Sequence, residues 1–276
     1  MVAAAGEMDN AFLLEHAAPL RVAAMALALT GMAAWEALAP RRSSREPKAR
    51  RWRTNLGVAL LNVLLVRVAL PTTAIGMAEL AAARGWGLFN QMEIEPWLAV
   101  VIGVLALDLF IYLQHVAFHL TPVLMRIHSV HHADPDVDAT TGIRFHPLEI
   151  MLSMLVKYAA IVALGAPALA VLLFEMLLGV SSLFNHGNVR VPETIDRALR
   201  FVLVTPDMHR IHHSVIDAER NSNYGSCTSA WDRLFGTYTL SPAGGQTGMR
   251  LGLDGYRDAR VSTTLSGALA IPFRTS

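Results

Sequence analysis

The 276-residue chain is short of charge and almost lacks cysteine: 16% of its residues are charged, and Cys227 is its one thiol. A single cysteine cannot close an internal disulfide. It also excludes zinc-finger, iron–sulfur and c-type haem readings, which need paired or multiple cysteines. Soluble domains are about 25% charged. The deficit, beside 53% hydrophobic residues and a mean hydropathy of +0.40, makes lipid part of the solvent. The formal net charge is only +1 and the cations are locally concentrated, so no nucleic-acid partner is implied. No basic segment precedes the first apolar run, and Glu7, Asp9 and Glu15 lie before it. No cleavable signal peptide is therefore expected, and that run reads as a retained anchor. There is no low-complexity tract and no boundary that calls for a second domain.

The chain does contain long apolar runs. Leu20 to Ala39 matches the roughly 20 residues that cross a bilayer as a helix. A dense basic segment follows, with Arg41, Arg42, Arg45, Lys48, Arg50, Arg51 and Arg53 against Glu46 as its only local acid; the positive-inside rule makes it cytoplasmic. A second run, Leu56 to Ala83, is interrupted by Arg67 and Pro71 and is expected to cross outward with a kink at the proline. A third, Trp97 to Leu120, returns inward carrying Asp108, Tyr112, His115 and His119 toward its inner end. Leu148 to Leu164 and Ala168 to Leu183, split by Gly165 and Pro167, read as a helical hairpin entering and leaving on one side, which would bring His146 and His186 close together. The expected fold is all-α: an integral-membrane helical bundle with a cytoplasmic helical cap that holds a binuclear histidine metal site. Within one structural domain, residues 1–107 form the N-terminal transmembrane helices and basic loop. Residues 108–240 form the histidine-rich region with its membrane hairpin, and residues 241–276 a C-terminal tail.

Ten of the eleven histidines fall between His115 and His213. His115 and His119 read H-x-x-x-H, while His128/His131/His132 and His209/His212/His213 each read H-x-x-H-H. Residues three or four apart share one helix face, so each group is expected to aim its imidazoles at one point. Two such points would hold two metal ions. Imidazole suits zinc, copper, iron and nickel, whereas magnesium and calcium take oxygen ligands. Eight to ten imidazoles exceed the roughly four to six ligands of one ion and imply a binuclear centre. A redox pair that activates dioxygen needs such a set, which favours iron by chemistry, with zinc a possible substitute in purified protein.

Blander readings exist for each feature. The triplets could be a pH-sensing cap, the His115/His119 pair a satisfied polar face, and the isolated His146 and His186 structural. His16 lies far away and reads as interfacial or solvated. Asp108, two turns before His115 on the same face, is expected to accept a ring proton from a ligand histidine or to pair with Arg67; Tyr112 lies between them. Glu149 and Glu175 are further candidate acceptors, and Glu175 alternatively pairs with Lys157 across the hairpin. A histidine-rich metal transporter or sensor would place its ligands near the bilayer midplane, whereas the triplets lie outside the apolar runs. A zinc hydrolase would need a motif such as H-E-x-x-H, which does not occur, and a haem cytochrome takes its axial ligands singly from facing helices.

Beyond the histidines, further motifs occur in order. They are Arg144-Phe-His-Pro-Leu-Glu149, Asn185-His186-Gly-Asn188, Thr205-Pro-Asp-Met-His209, Asn223-Tyr-Gly225 and Trp231-Asp-Arg-Leu-Phe-Gly-Thr237. From Asp108 to Tyr238 the chain resembles the fatty acid hydroxylase and sterol desaturase superfamily of integral-membrane, non-haem di-iron enzymes. The resemblance implies that His115, His119, His128, His131, His132, His209, His212 and His213 bind two irons, with His186 and His146 completing the set and Asp108, Tyr112, Glu149 and Asn185 supporting it. The chain departs from the family at Arg190, where a histidine often follows His186 in H-x-x-x-H spacing, leaving His146 as either the missing nitrogen or a supporting neighbour. Trp231, Asp232 and Arg233 are expected to pin the cap to the membrane surface. The implied activity is hydroxylation or desaturation of a lipid C–H bond with O2. No G-x-G-x-x-G fingerprint is present, so electrons come from a separate reductase, ferredoxin-like protein or haem carrier. The implied location is the inner membrane of a bacterium or the endoplasmic reticulum of a eukaryote.

Overall fold

The computed structural model describes residues 10–274; Glu7 and Asp9, which bear on the question of a leader, lie outside the described residues. Among the described residues the secondary structure is helical, with isolated β-bridges and no strand. A helical lead-in over residues 10–15 precedes α1 (Ala17–Leu38), followed by α2 (Lys48–Ala69), α3 (Ala74–Arg84) and α4 (Pro96–Leu120). Then come α5 (Pro122–His132), α6 (Pro147–Leu164), α7 (Ala168–Asn185), α8 (Glu193–Leu199) and α9 (Pro206–His212), with shorter turns beyond. Five segments are long and apolar enough to cross a membrane: Ala17–Leu38, Lys48–Gln91, Pro96–Leu120, Pro147–Leu164 and Ala168–Asn185. No more than 33% of any of them is buried within the protein. Val22, Leu27, Leu60, Val63, Val68 and Leu105 all face outward. An apolar belt of this extent is stable against lipid rather than water.

Two boundaries differ from the sequence reading for local reasons. Pro71 ends α2 instead of kinking it. A proline offers no N–H and disfavours helix at the residue before it, so Leu70 is extended. Thr73 then caps a new helix by accepting Gly76 N–H at 3.0 Å. The start of α2 lies within the basic segment, whose cations find acids far away in sequence. Arg51 is fully buried against Asp134 at 2.7 Å and Asp138 at 2.8 Å, Lys48 meets Glu36 at 2.9 Å, and Arg41 meets Asp207 at 2.9 Å. The segment is thus partly a set of ties between the first helices and the cap. Burial alone would raise the Asp134 carboxyl, but Arg51 and Arg144 hold it below its ordinary range.

The hairpin also departs from expectation. Gly165, at φ +65°, makes the left-handed turn that ends α6. Its two helices do not pack along each other: α3 and α4 both pack against α6 and against α7. The arms are splayed, and Lys157 Nζ spans them to reach Glu175 Oε1 at 2.8 Å. The turn Ala139–Ile143 wedges against α7, where a Cβ on Gly142 would stand 2.3 Å from the Ser182 carbonyl oxygen. Residues near the C-terminus are no loose tail. Val261, Ala268 and Ile271 share a core with Val58 of α2 and Val130 of α5, and the buried Arg144 guanidinium donates to Ser262 O.

Candidate metal centre

Three helices and one helix end supply nine of the eleven histidines to one buried region. They fall into two groups in which one nitrogen per residue lies within 4.8 Å of every other: His115, His119, His128, His132 and His212, and beside them His131, His186, His209 and His213. The triplets do not each serve one point. His128 and His132 join the first group while His131 joins the second; conversely His209 and His213 join the second while His212 crosses to the first. The cause is helical geometry. Adjacent residues diverge by about 100° at 3.6 residues per turn, so the i, i+4 pair of each triplet shares a direction and its middle histidine looks elsewhere. The rings of His131 and His132 stand at 88° to each other and those of His212 and His213 at 84°. Each group is therefore assembled from both α5 and α9.

The outer ring nitrogens are fixed by acceptors. His115 Nδ1 donates to Tyr224 O at 2.8 Å, His212 Nδ1 to Ser222 O at 2.8 Å, and His186 Nδ1 to Ser182 O at 2.7 Å. His128 Nδ1 donates to Glu149 Oε1 at 2.7 Å, and His119 Nδ1 lies 3.2 Å from Asn221 Oδ1. A ring that donates from Nδ1 while neutral presents a lone pair at Nε2. Yet Nε2 of His115 lies 3.2 Å from Nε2 of His128, that of His119 3.1 Å from His132, and that of His186 3.0 Å from His131 and 3.1 Å from His209. His213 has both ring nitrogens buried without a partner, and His212 Nε2 is likewise orphaned.

Burial and neighbouring imidazoles push His131, His132, His209, His212 and His213 well below the ordinary imidazole range. Burial brings His186 down to about 4. His115 and His128 both donate from Nδ1, so their Nε2 lone pairs face each other, an arrangement that a shared cation would reconcile. Nitrogens ~2.1 Å from one ion and at right angles stand about 3.0 Å apart, the spacing seen here. The donor set fits a nitrogen-preferring transition metal in each group.

His146 is not part of either group. It caps α6, with Nδ1 accepting Leu148 N–H at 3.2 Å and Nε2 lying 3.3 Å from Leu269 O. His186 joins the second group and His146 joins neither, so the two do not meet at one metal position as the hairpin reading expected. His16 sits by Phe12 at the start of α1, outside both groups. Of the supporting residues, Glu149 alone touches a ring. Asp108 accepts from Cys227 N, Thr228 N and Trp231 Nε1, rather than from a histidine or Arg67. Tyr112 Oη bonds Thr237 Oγ1 and its ring stacks on Phe235, while Asn185 Nδ2 donates to Ser226 O. These three secure the 223–238 segment, which carries the Tyr224 carbonyl onto His115.

Asp232 takes the N–H groups of Tyr224 and Gly225 and the Thr237 hydroxyl, and burial raises its carboxyl to about 6. Trp231 and Asp232 thus shape this loop, and Arg233 donates to Arg200 O. Asn223 has φ +53°, a conformation asparagine tolerates better than most residues. Sequence reasoning missed Ser182, Asn221 and Ser222 as partners; the flagged Asn223-Tyr-Gly225 motif was the nearby signal.

A cavity of about 830 Å³ opens from His115, His128, His131, His186 and His209 and runs between the splayed arms of the hairpin. Fold and site together define a multi-pass helical protein built around a buried histidine cluster able to hold metal. The chain belongs to the fatty acid hydroxylase family, whose profile matches residues 100–237, half of its length. It is 29% identical over 174 residues to an ornithine lipid hydroxylase of Rhizobium tropici, covering 63% of this chain and 50% of that protein. It is 26% identical over 156 residues to the alkylglycerol monooxygenase of Homo sapiens, with 55% and 33% covered. Against the lathosterol oxidase of Mus musculus it is 26% identical over 179 residues, with 62% and 56% covered. The matches thus span about half the length, or less, of these curated relatives. No solved structure matches the chain.

Proposed function

We propose that this chain is a membrane-bound, O2-dependent di-iron oxygenase that hydroxylates or desaturates a C–H bond of a lipid. The observation that carries this reading is the packing of nine imidazoles, seven of them buried, with ring nitrogens 3.0–3.2 Å apart beside a cavity lined by five of the nine. The five-histidine group would hold one iron and the four-histidine group the other. Bound there, the pair would supply the redox chemistry that no acid–base pair of side chains provides against an unactivated C–H bond.

The protein's own part is orientation. Glu149 and the carbonyls of Ser182, Ser222 and Tyr224 fix four imidazoles in one tautomer, and fixed neutral rings bind metal without reorganising. The apolar cavity aligns a chain against the histidines and keeps bulk water from them. The relatives act on an ornithine lipid, on alkylglycerols and on a sterol by their names, which supports a lipid substrate. Electrons would come from a separate reductase, ferredoxin-like or haem-carrier protein. The cap would face the cytoplasm, in line with the basic loop.

The test combines metal analysis of anaerobically purified protein with lipid profiling of a host under 18O2. Two irons per chain, together with an oxygen-dependent hydroxyl or double bond that is absent with His131→Ala or His212→Ala, are expected. Protein that holds at most one ion, or a lipid profile unchanged by the chain, overturns the reading.

A further inference from the structure

The cavity has a second end that the metal centre does not use. Away from the histidines it is lined by Arg21, Arg67, Lys157, Glu175, Thr72 and Thr73. Three cations there face one carboxylate. Glu175 is already engaged twice, by Lys157 at 2.8 Å and Arg21 at 2.9 Å. Arg67 has no ion-pair partner among the described residues. Between the two ends the wall is largely apolar, with Val66, Ile111, Phe118, Ile150, Met154 and Leu178.

Charge within a membrane-spanning bundle is costly unless it faces a partner or a cavity. One carboxylate balances one of these three cations. The surplus sits where a ligand lying in the cavity would place its end. We propose that this far end is a headgroup site, in which Arg67, assisted by Arg21 and Lys157, binds the anionic group, carboxylate or phosphate, of an amphiphilic lipid whose chain runs to the histidines. The proposal rests on the oxygenase reading for what happens at the other end, and it adds the class of substrate and a ruler for the reaction.

The ruler follows from helix rise. Lys157 lies eight residues from Glu149 on α6, and Glu175 eleven from His186 at the end of α7, so at 1.5 Å per residue the two ends are about 12–16 Å apart. An extended chain advances about 1.1–1.2 Å per bond, which puts the reacting carbon roughly ten to fourteen bonds from the anionic group. Glu175 has a structural share in this arrangement. It pairs with both Lys157 and Arg21, and so keeps the two cations together at this end of the cavity.

The test is binding of radiolabelled hexadecanoate to the purified full chain in neutral detergent, with hexadecanoate, hexadecyl phosphate and methyl hexadecanoate as competitors. The two anions are expected to compete about tenfold better than the ester, the scale of one hydrogen bond to a charged group. Arg67→Gln removes that advantage and leaves the ester unchanged, and Arg67→Lys restores part of it. An ester that competes as well as the acids on the unmodified chain, or an Arg67→Gln chain that loses all three alike, overturns the headgroup site. Binding requires neither metal nor turnover, so it separates the two readings. Selective anion binding without an oxygen-dependent product supports the headgroup site while sinking the oxygenase. A hydroxylated product formed with no preference for an anionic head does the reverse. In an active preparation, product hydroxyls clustered at one stretch of carbons, and scattered with Arg67→Gln, are the corresponding positional readout.

Discussion

At the scale of single residues, Glu149 and His146 sit three positions apart at the start of α6 yet serve different ends. Glu149 reaches from the first turn of α6 to His128. A carboxylate acceptor raises the basicity of the ring, and losing such a partner costs about 10–100-fold in metal affinity. Glu149→Ala is therefore expected to weaken metal retention by that factor in a chelator competition, with Glu149→Gln intermediate because its amide oxygen still accepts. His146→Ala should leave metal content unchanged and lower thermal stability by about 1 kcal/mol, the scale of a lost helix cap; loss of an ion in that variant would return His146 to the ligand set. Eight of the nine clustered histidines were legible in the sequence because their type and spacing advertise the chemistry, whereas His186 stood alone and was indicated only by the family resemblance. Their acceptors were not, since the carbonyls of Ser182, Ser222 and Tyr224 belong to the backbone, and any residue offers one. Asp108 sat on the expected face of α4 but was claimed by Trp231 and the Cys227 and Thr228 amides, contacts set by the path of a loop rather than by periodicity.

At the scale of elements, the sharing of both histidine groups between α5 and α9 makes a prediction that the one-triplet, one-site reading does not. Replacing His128, His131 and His132 together by alanine removes two nitrogens from one group and one from the other. Both metal ions are then expected to be lost, and the same holds for His209, His212 and His213. Metal content by mass spectrometry checks this, and one retained ion would restore the simpler picture. The apolar runs that become α1, α4, α6 and α7 were legible to within a few residues from length and hydropathy. The relation between α6 and α7 was not. A short Gly-Ala-Pro turn announces a hairpin, but the opening of its arms depends on α3 and α4 packing against both. The C-terminal residues read as a tail because their packing partners, Val58 and Val130, are distant in sequence.

For the whole molecule, the proposed orientation rests on the basic loop, which by the positive-inside rule would put Arg50 and the cap on the cytoplasmic side. Arg50→Cys tests this, since Arg50 is 52% exposed. The native Cys227 will not compete for label, because burial and the adjacent Asp108 push its thiol up and keep it protonated. A membrane-impermeant maleimide is expected to leave intact cells unlabelled and to react once they are permeabilised; labelling of intact cells would invert the topology. The splitting of each triplet between two groups also bears on biogenesis. While the polypeptide is still emerging from the ribosome, α5 alone can assemble neither complete ligand set, however long it waits. Ions captured early would be held by partial sets and readily released, so durable metal uptake must follow delivery of residues through His213 to the bundle. A metal-loaded centre would accordingly be a late, all-or-none mark of correct insertion, because metal and fold would stabilise each other only once both helices are in place.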